Sequence, residues 1–381
     1  MRNTTHNYIL TGSTGILGSH ILYELMQSIH NNNYRGRIVL LIRSKKDVTS
    51  RDRFLELLSA EAAPDYLNAI DMARMNRLIT IIDSDLRFLD CSSLEAELGA
   101  GKYHLIHCAA SVNLGTSASA LADIRNNNYL GTLNLVNSLQ NYLSKVSYVS
   151  TAFSLCSKDG TIVEQNTDRT DTDFRNHYER YKVQTEKEVE EICKAHKLPY
   201  QVFRPSIICG RLVDYPYHVI PRFLVFYLFG AFFYKAKAAY GEQPVRIAMN
   251  TTSGLNIIPV DYTAKAIVRA LPTDIKALNI VSRKSVPNIF TAHEMMRVVG
   301  WTNYEIMDKC PSIQNPLEKL YYRTVGAQLS HYMNTPESPD AHFNVDILRE
   351  LMKDINEPNV DAHFGELCTY AMERGFNNLV A

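Results

Sequence analysis

The sequence has no excess charge of either sign: 40 lysines and arginines balance 40 aspartates and glutamates over 381 residues. No global field therefore draws it to nucleic acid or to an anionic membrane. Cysteine is scarce and unpatterned, seven residues widely scattered. There is no Cys-x-x-Cys pair and no Cys/His cluster at zinc spacing. Neither a disulfide framework nor a structural metal is expected, and reduced thiols in a cytoplasmic setting fit best. His104 and His107 alternate on one apolar run but lack a third ligand. Cys108 beside them reads as a packing residue rather than a nucleophile. Long hydrophobic runs are absent too. The longest, 223–234, has 12 residues, short of the roughly 18 a bilayer span takes. The opening MRNTTHNYILTGSTG contains no signal-peptide core. No repeat or low-complexity tract is visible, and NNNYRG at 31–36 reads as a polar loop.

What is present is alternation. Apolar β-rich runs occur at 7–12, 37–43, 77–83, 103–109, 145–151, 200–206 and 277–282, with helical patterns between them. Near-continuous apolar strands separated by helices imply a parallel sheet covered on both faces. The expected fold class is α/β, a Rossmann-type doubly wound parallel sheet with a smaller, mostly helical C-terminal substrate region. The dinucleotide-binding domain is assigned to 1–210, completed by about 256–283. The substrate region is assigned to 211–255, aromatic-rich and irregular, and to 284–381.

The first strand runs into TGSTGILGSHIL, with Gly12, Gly15 and Gly18 at Gly-x-x-Gly-x-x-Gly spacing. Glycine permits the tight turn and close backbone approach to a pyrophosphate, which the following helix N-terminus attracts. The second strand ends LLIRSKK, where an NAD-preferring fold usually places an acid on the ribose. Arg43 there suits a 2′-phosphate, with Lys45 and Lys46 beside it, so NADP(H) is the expected cofactor. Asp85 and Leu86, after the third strand, are placed beside the adenine.

The segment HYERYKVQTEKEVEEI offers two tyrosines ahead of Lys182. Residues four apart share a helix face, whereas adjacent residues diverge by about 100°. Tyr178 can therefore converge with Lys182 on one substrate atom, and Tyr181 points elsewhere. The glycine turn, Asp85–Leu86, HCAASV (107–112), NYLGT (128–132), YVST (148–151), Tyr178-x-x-x-Lys182 and RPS (204–206) occur in one order. Together they resemble the extended short-chain dehydrogenase/reductases, and within them the fatty acyl-CoA reductases and the thioester reductase domains of carboxylic acid reductases and peptide synthetases. VSTAFS, IIPVDYTAKAI and FNVDILREL (343–351) are similar to further elements of that group. The resemblance is strong up to Gly210 and thin beyond.

The resemblance implies a catalytic set of Thr151, Tyr178 and Lys182, with Ser150 the competing residue for the first place. Tyr178 would act as acid, and Lys182 would lower its pKa and bond the nicotinamide ribose. Cofactor contacts would come from Gly12, Ser13, Thr14, Gly15, Ile16, Leu17 and Gly18, from Ala109 and Ala110, from Asn128 in a structural role, and from Pro205 and Ser206. The implied reaction is NADPH-dependent reduction of an acyl thioester, carried by coenzyme A or an acyl carrier protein, to an aldehyde, with a second reduction to the alcohol left open.

The aromatic stretch 214–240 admits three uses: the wall of an apolar acyl channel, a peripheral membrane contact through 223–234, or a core helix. Two rival functions remain. One is another extended enzyme acting on a nucleotide sugar or hydroxysteroid-like substrate, for which Arg211 and Arg222 could hold a diphosphate. The other is an NADP-binding sensor without turnover. Oligomeric state is left open.

Overall fold

The computed structural model describes residues 7–32, 36–59, 61–155, 161–164, 174–241, 243–333 and 342–379. Residues 33–35 of the polar stretch at 31–36 lie outside them. Seven strands form the central sheet: β1 (Tyr8–Thr11), β2 (Ile38–Ile42), β3 (Ile79–Asp83), β4 (Tyr103–His107), β5 (Leu143–Val149), β6 (Tyr200–Pro205) and β7 (Ala277–Ile280). Their order is β7-β6-β5-β4-β1-β2-β3, and every pairing is parallel. Each coincides with one of the apolar runs. β2 is buried at all five positions because helices cover both sheet faces. Successive residues feed opposite cores: Leu10 and Leu40 pack with the first helix, Ile16–Asn32, while Ile9 and Val39 pack with Leu135 and Val189.

Strand order reverses between β1 and β4, so a crevice opens outside their carboxyl ends. A buried hydrogen-bond chain fixes that edge. The Thr132 hydroxyl donates to Asn128 O, so it must accept from His107 Nε2 at 2.7 Å. His107 Nδ1 is then the acceptor from Thr11 Oγ1, also at 2.7 Å, and Thr11 Oγ1 in turn accepts from Ala109 N. Burial pushes the His107 pKa down to about 3, so the ring stays neutral. His104 Nε2 is hydrogen-bonded to the Ser147 hydroxyl at 2.7 Å.

The second lobe has its own core, built from 207–376. The segment expected to be irregular contains a helix, Tyr227–Tyr240, and a strand, Val245–Ala248, that pairs with Tyr304–Met307. Phe223, Phe226, Tyr227, Phe229 and Phe233 are all buried in this core. The packing of these five rings is that of a core helix, while Leu224 and Val225 of the same stretch line a cavity. The helix Asp346–Leu351, assigned to the substrate region, instead buries Leu348 among the residues of the sheet. Asp261 joins the lobes: its carboxylate accepts from the backbone N–H of Leu212, Val213 and Asp214. Lys265 adds bonds of 2.9 Å to both Glu24 and Asp214. No helix among the described residues is long and apolar enough to cross a membrane.

The single tryptophan, Trp301, packs 5.3 Å from the Phe233 ring inside this lobe. Phe233→Ala is expected to cost about 3–5 kcal/mol, read by denaturant titration of Trp301 emission, with cofactor affinity unchanged. A loss below about 1 kcal/mol would show that the ring is not part of the core.

Candidate active site

Two adjoining cavities occupy the crevice. The first, of about 540 Å³, takes in Gly12, Thr14 and Gly15, the β2 end at Arg43 and Lys45, the pair Asp85 and Leu86, and Ala109 and Ala110. The second, of about 410 Å³, is lined by Gly12, Gly15, Ile16, Leu17 and Gly18, by Ala110, by Thr151, Tyr178 and Lys182, and by Pro205 and Ser206. Of the residues the sequence assigned to the cofactor, Ser13, Lys46 and Asn128 line neither cavity. Ser13 is fully buried under the turn. Asn128 accepts from Ser111 N and donates to Ser111 O, holding a loop that borders both cavities.

The glycine turn is built on backbone contact. Gly12 has φ +73°, and a Cβ on it would lie 2.6 Å from Ala109 N. A Cβ on Gly18 would run into the Gly12 carbonyl. The first helix therefore docks against β1 with its N-terminus facing the crevice, a cradle that fits a dinucleotide pyrophosphate. At the adenosine end, Arg43 Nη1 pairs with Asp85 at 3.2 Å, and Arg87 Nε holds the same carboxylate at 2.9 Å. The Arg87 hydrogen bonds keep the Asp85 carboxyl well below its ordinary range. Arg53, which sequence reasoning missed, donates to Thr14 Oγ1 at 2.9 Å and lines the first cavity. Nothing local marks it, because it arrives from the helix Ser50–Ser59 across the crevice.

The catalytic-side helix runs His177–Ala195 and begins at Asn176, whose side chain accepts from Glu179 N. That is the N-cap chemistry its Asn-x-x-Glu spacing favours. Its inner face repeats through Lys182, Glu186, Val189 and Cys193. Arg204 on β6 ion-pairs with Glu186 and donates to Glu164 O at 2.7 Å, clamping helix to sheet. Tyr178 lines the second cavity, whereas Tyr181 packs on Tyr129 with ring centres 5.6 Å apart and lines neither.

Lys182 is buried and donates to Val149 O at 2.8 Å; its Nζ lies 5.9 Å from the Tyr178 ring centre. Contrary to the sequence expectation, Lys182 does not lower the Tyr178 pKa: burial dominates and pushes the phenol up, with the ammonium turned to the Val149 carbonyl. Burial also lowers Lys182 to about 8 and raises Cys108 to about 12, a thiol poorly suited to nucleophilic work. Thr151 and Ser150 are both buried and both line the second cavity. Thr151 Oγ1 accepts from Phe153 N, while Ser150 Oγ has no partner among the described residues.

Arg211 is turned inward, donating to Pro216 O and Ala62 O, and lines neither cavity; Arg222 lines both. His218, His363 and Glu366 come together elsewhere, with Glu366 accepting from both histidines, and none of them borders either cavity.

Gly12→Ala is expected to weaken nicotinamide cofactor binding at least tenfold and to lower stability by about 1–2 kcal/mol, since a Cβ at positive φ is strained and meets Ala109. Fluorescence titration and thermal melting would check both; unchanged affinity would contradict the turn's role. Lys182 gives a pH signature. Below about 8 both native and unfolded chains hold the proton, and the native state carries the full cost of burying it. Between about 8 and the ordinary lysine value of 10.5 only the unfolded chain binds it, so this cost fades as pH rises. Wild type is expected to gain on the order of 3 kcal/mol across that window relative to Lys182→Met. Parallel stability profiles would contradict this.

The profile of the NAD-binding family described as "Male sterility protein" matches residues 10–267. Among solved structures, the terminal R domain of the myxalamid PKS-NRPS pathway superposes with a TM-score of 0.71 at 20% identity, covering 100% of this chain and 94% of that one. UDP-glucose 4-epimerase from Thermotoga maritima gives 0.59 at 16% identity, covering 97% and 99%. These likenesses are of fold. A dTDP-D-glucose 4,6-dehydratase from Dictyostelium discoideum is 26% identical over 226 residues, 57% of this chain and 46% of that relative, so the match spans less than half the relative's length. The chain belongs to the NAD-binding male sterility protein family, among the extended short-chain dehydrogenase/reductases.

Proposed function

We propose that the protein is an NADPH-dependent reductase of an acyl thioester, the acyl group being carried by coenzyme A or an acyl carrier protein. The observation that carries this reading is the character of the second cavity. Beyond the Tyr178 and Lys182 pair its wall is largely apolar, with Val112, Leu114, Phe153, Ile208, Leu224 and Val225, and Arg222 at the border. A nucleotide sugar would require several polar groups and cations for a diphosphate, and Arg211, one of the two available, is committed to backbone carbonyls. An acyl chain requires what is there.

The cofactor would lie along the Gly12–Gly18 turn, with Arg43, Lys45 and Arg53 near the adenosine end to favour a 2′-phosphate. Bound there, NADPH would supply the hydride that the thioester carbon accepts. Tyr178 donates its proton to the oxygen on which negative charge develops; its raised pKa keeps that proton in place at neutral pH. Thr151 hydrogen-bonds the same oxygen. Lys182 holds positive charge behind Tyr178 and bonds the nicotinamide ribose. The hemithioacetal then collapses, breaking C–S, to an aldehyde and a free thiol. A second reduction would give the alcohol.

The test is NADPH oxidation with a long-chain acyl-CoA. Tyr178→Phe is expected to lower kcat about a hundredfold to ten-thousandfold, with Tyr181→Phe within about twofold of wild type. Loss in Tyr181→Phe with Tyr178→Phe active would overturn the assignment of the acid. Turnover of a nucleotide sugar, with no thioester consumed in either carrier form, would overturn the reaction class.

A further inference from the structure

We propose that Arg222, carried by the substrate lobe, binds the pyrophosphate of the nicotinamide cofactor and so ties the wall of the substrate cavity to cofactor binding. Six residues border both cavities: Gly12, Gly15, Cys108, Ala110, Ser111 and Arg222. They mark the neck where the cavities meet. A dinucleotide laid through the crevice puts its adenosine half beside Arg43, Asp85 and Leu86, and its nicotinamide half beside Tyr178 and Lys182. The group joining the halves, the doubly negative pyrophosphate, falls at the neck. The glycine turn offers it backbone N–H groups and about half a positive charge from the helix. Arg222 is the one formally charged side chain among the six, and it borders the same two cavities as that turn.

The electrostatics agree. Arg43, Lys45, Arg53 and Arg222 gather on this wall. Burial lowers the pKa values of Lys45, Arg53 and Arg222, and for Lys45 and Arg53 the next largest cause is the charge of Arg222. Glu56 opposes this repulsion at Lys45 and Arg53, and Asp83 does so at Arg53 as well. A cluster of cations held against one another is relieved by a polyanion.

Arg222 also sits next to the substrate wall. Leu224 and Val225, two and three residues on, line the second cavity, and Val225 has φ +53°. The chain between is pinned from behind: Leu379 N donates to Pro221 O, and Phe223 N donates to Asn378 Oδ1. Drawing the guanidinium onto a pyrophosphate therefore sets the position of the two apolar side chains that follow it. Cofactor binding would precede and shape the site for the second substrate, whatever that substrate is.

The test titrates NADPH and NADH, by nicotinamide fluorescence, into wild type, Arg222→Gln and Arg222→Lys without any acyl substrate, so its outcome is independent of the thioester assignment. The dissociation constants of Arg222→Gln are expected to rise by the same factor for both cofactors, about tenfold to a hundredfold, with Arg222→Lys in between. A rise for NADPH alone would assign Arg222 to the 2′-phosphate and overturn the proposal, as would no rise for either. Should Arg222→Gln not fold, the wild type still decides: phenylglyoxal modification of Arg222, followed by peptide mass spectrometry, is expected to slow at least fivefold with saturating NADH. Equal modification with and without NADH would overturn it.

Discussion

The site depends on backbone meeting backbone with nothing between. Gly18 rests on the Gly12 carbonyl, and Gly12 rests on Ala109 N at the end of the neighbouring strand. Those two contacts fix how closely the first helix approaches β1 and how closely the β1 and β4 ends approach each other. The crevice, its helix N-terminus and the narrow neck between the cavities follow from them. The His107 hydrogen-bond chain acts beneath the same edge, and it works only because burial keeps the imidazole neutral, one nitrogen donating and the other accepting.

The catalytic-side helix is held by a comparable economy of contacts. Asn176 starts it, Arg204 clamps its middle through Glu186, and Lys182 reaches across to the Val149 carbonyl. The helix thus presents Tyr178 to the second cavity at a fixed distance from Thr151 and Ser150 on the β5 exit. Burial then sets the proton inventory: a phenol that keeps its proton and an amine that holds its own weakly. A proton donor backed by a cation is the arrangement that an oxygen gaining negative charge requires.

Much of this was legible in the sequence, for identifiable reasons. A strand buried on both faces must be apolar throughout, so the seven runs announced the sheet. Helical periodicity together with the family resemblance put Tyr178, not Tyr181, beside Lys182. What was not legible depends on contacts between distant segments. Hydrophobicity could not tell which residues of 223–234 line a cavity and which fill a core, because both select the same types; Phe226 and Phe233 pack against Phe364, Trp301 and Tyr321, while Leu224 and Val225 line the second cavity. Arg211 and Arg222 looked alike as available cations, yet one is spent on backbone carbonyls and the other borders both cavities. Arg53 carried no signal at all. The effect of Lys182 on Tyr178 was misjudged because spacing shows which side chains share a face, not where an ammonium finds its acceptor.

The central claim is that a thioester carbonyl receives a hydride in the second cavity. The most direct measurement uses NADPH deuterated at the transferring position of the nicotinamide, an acyl thioester, and mass spectrometry of the trapped product. The account predicts release of the free thiol together with deuterium on the carbon that was the thioester carbonyl. Thiol release without deuterium on that carbon would mean hydrolysis rather than reduction, and would contradict it.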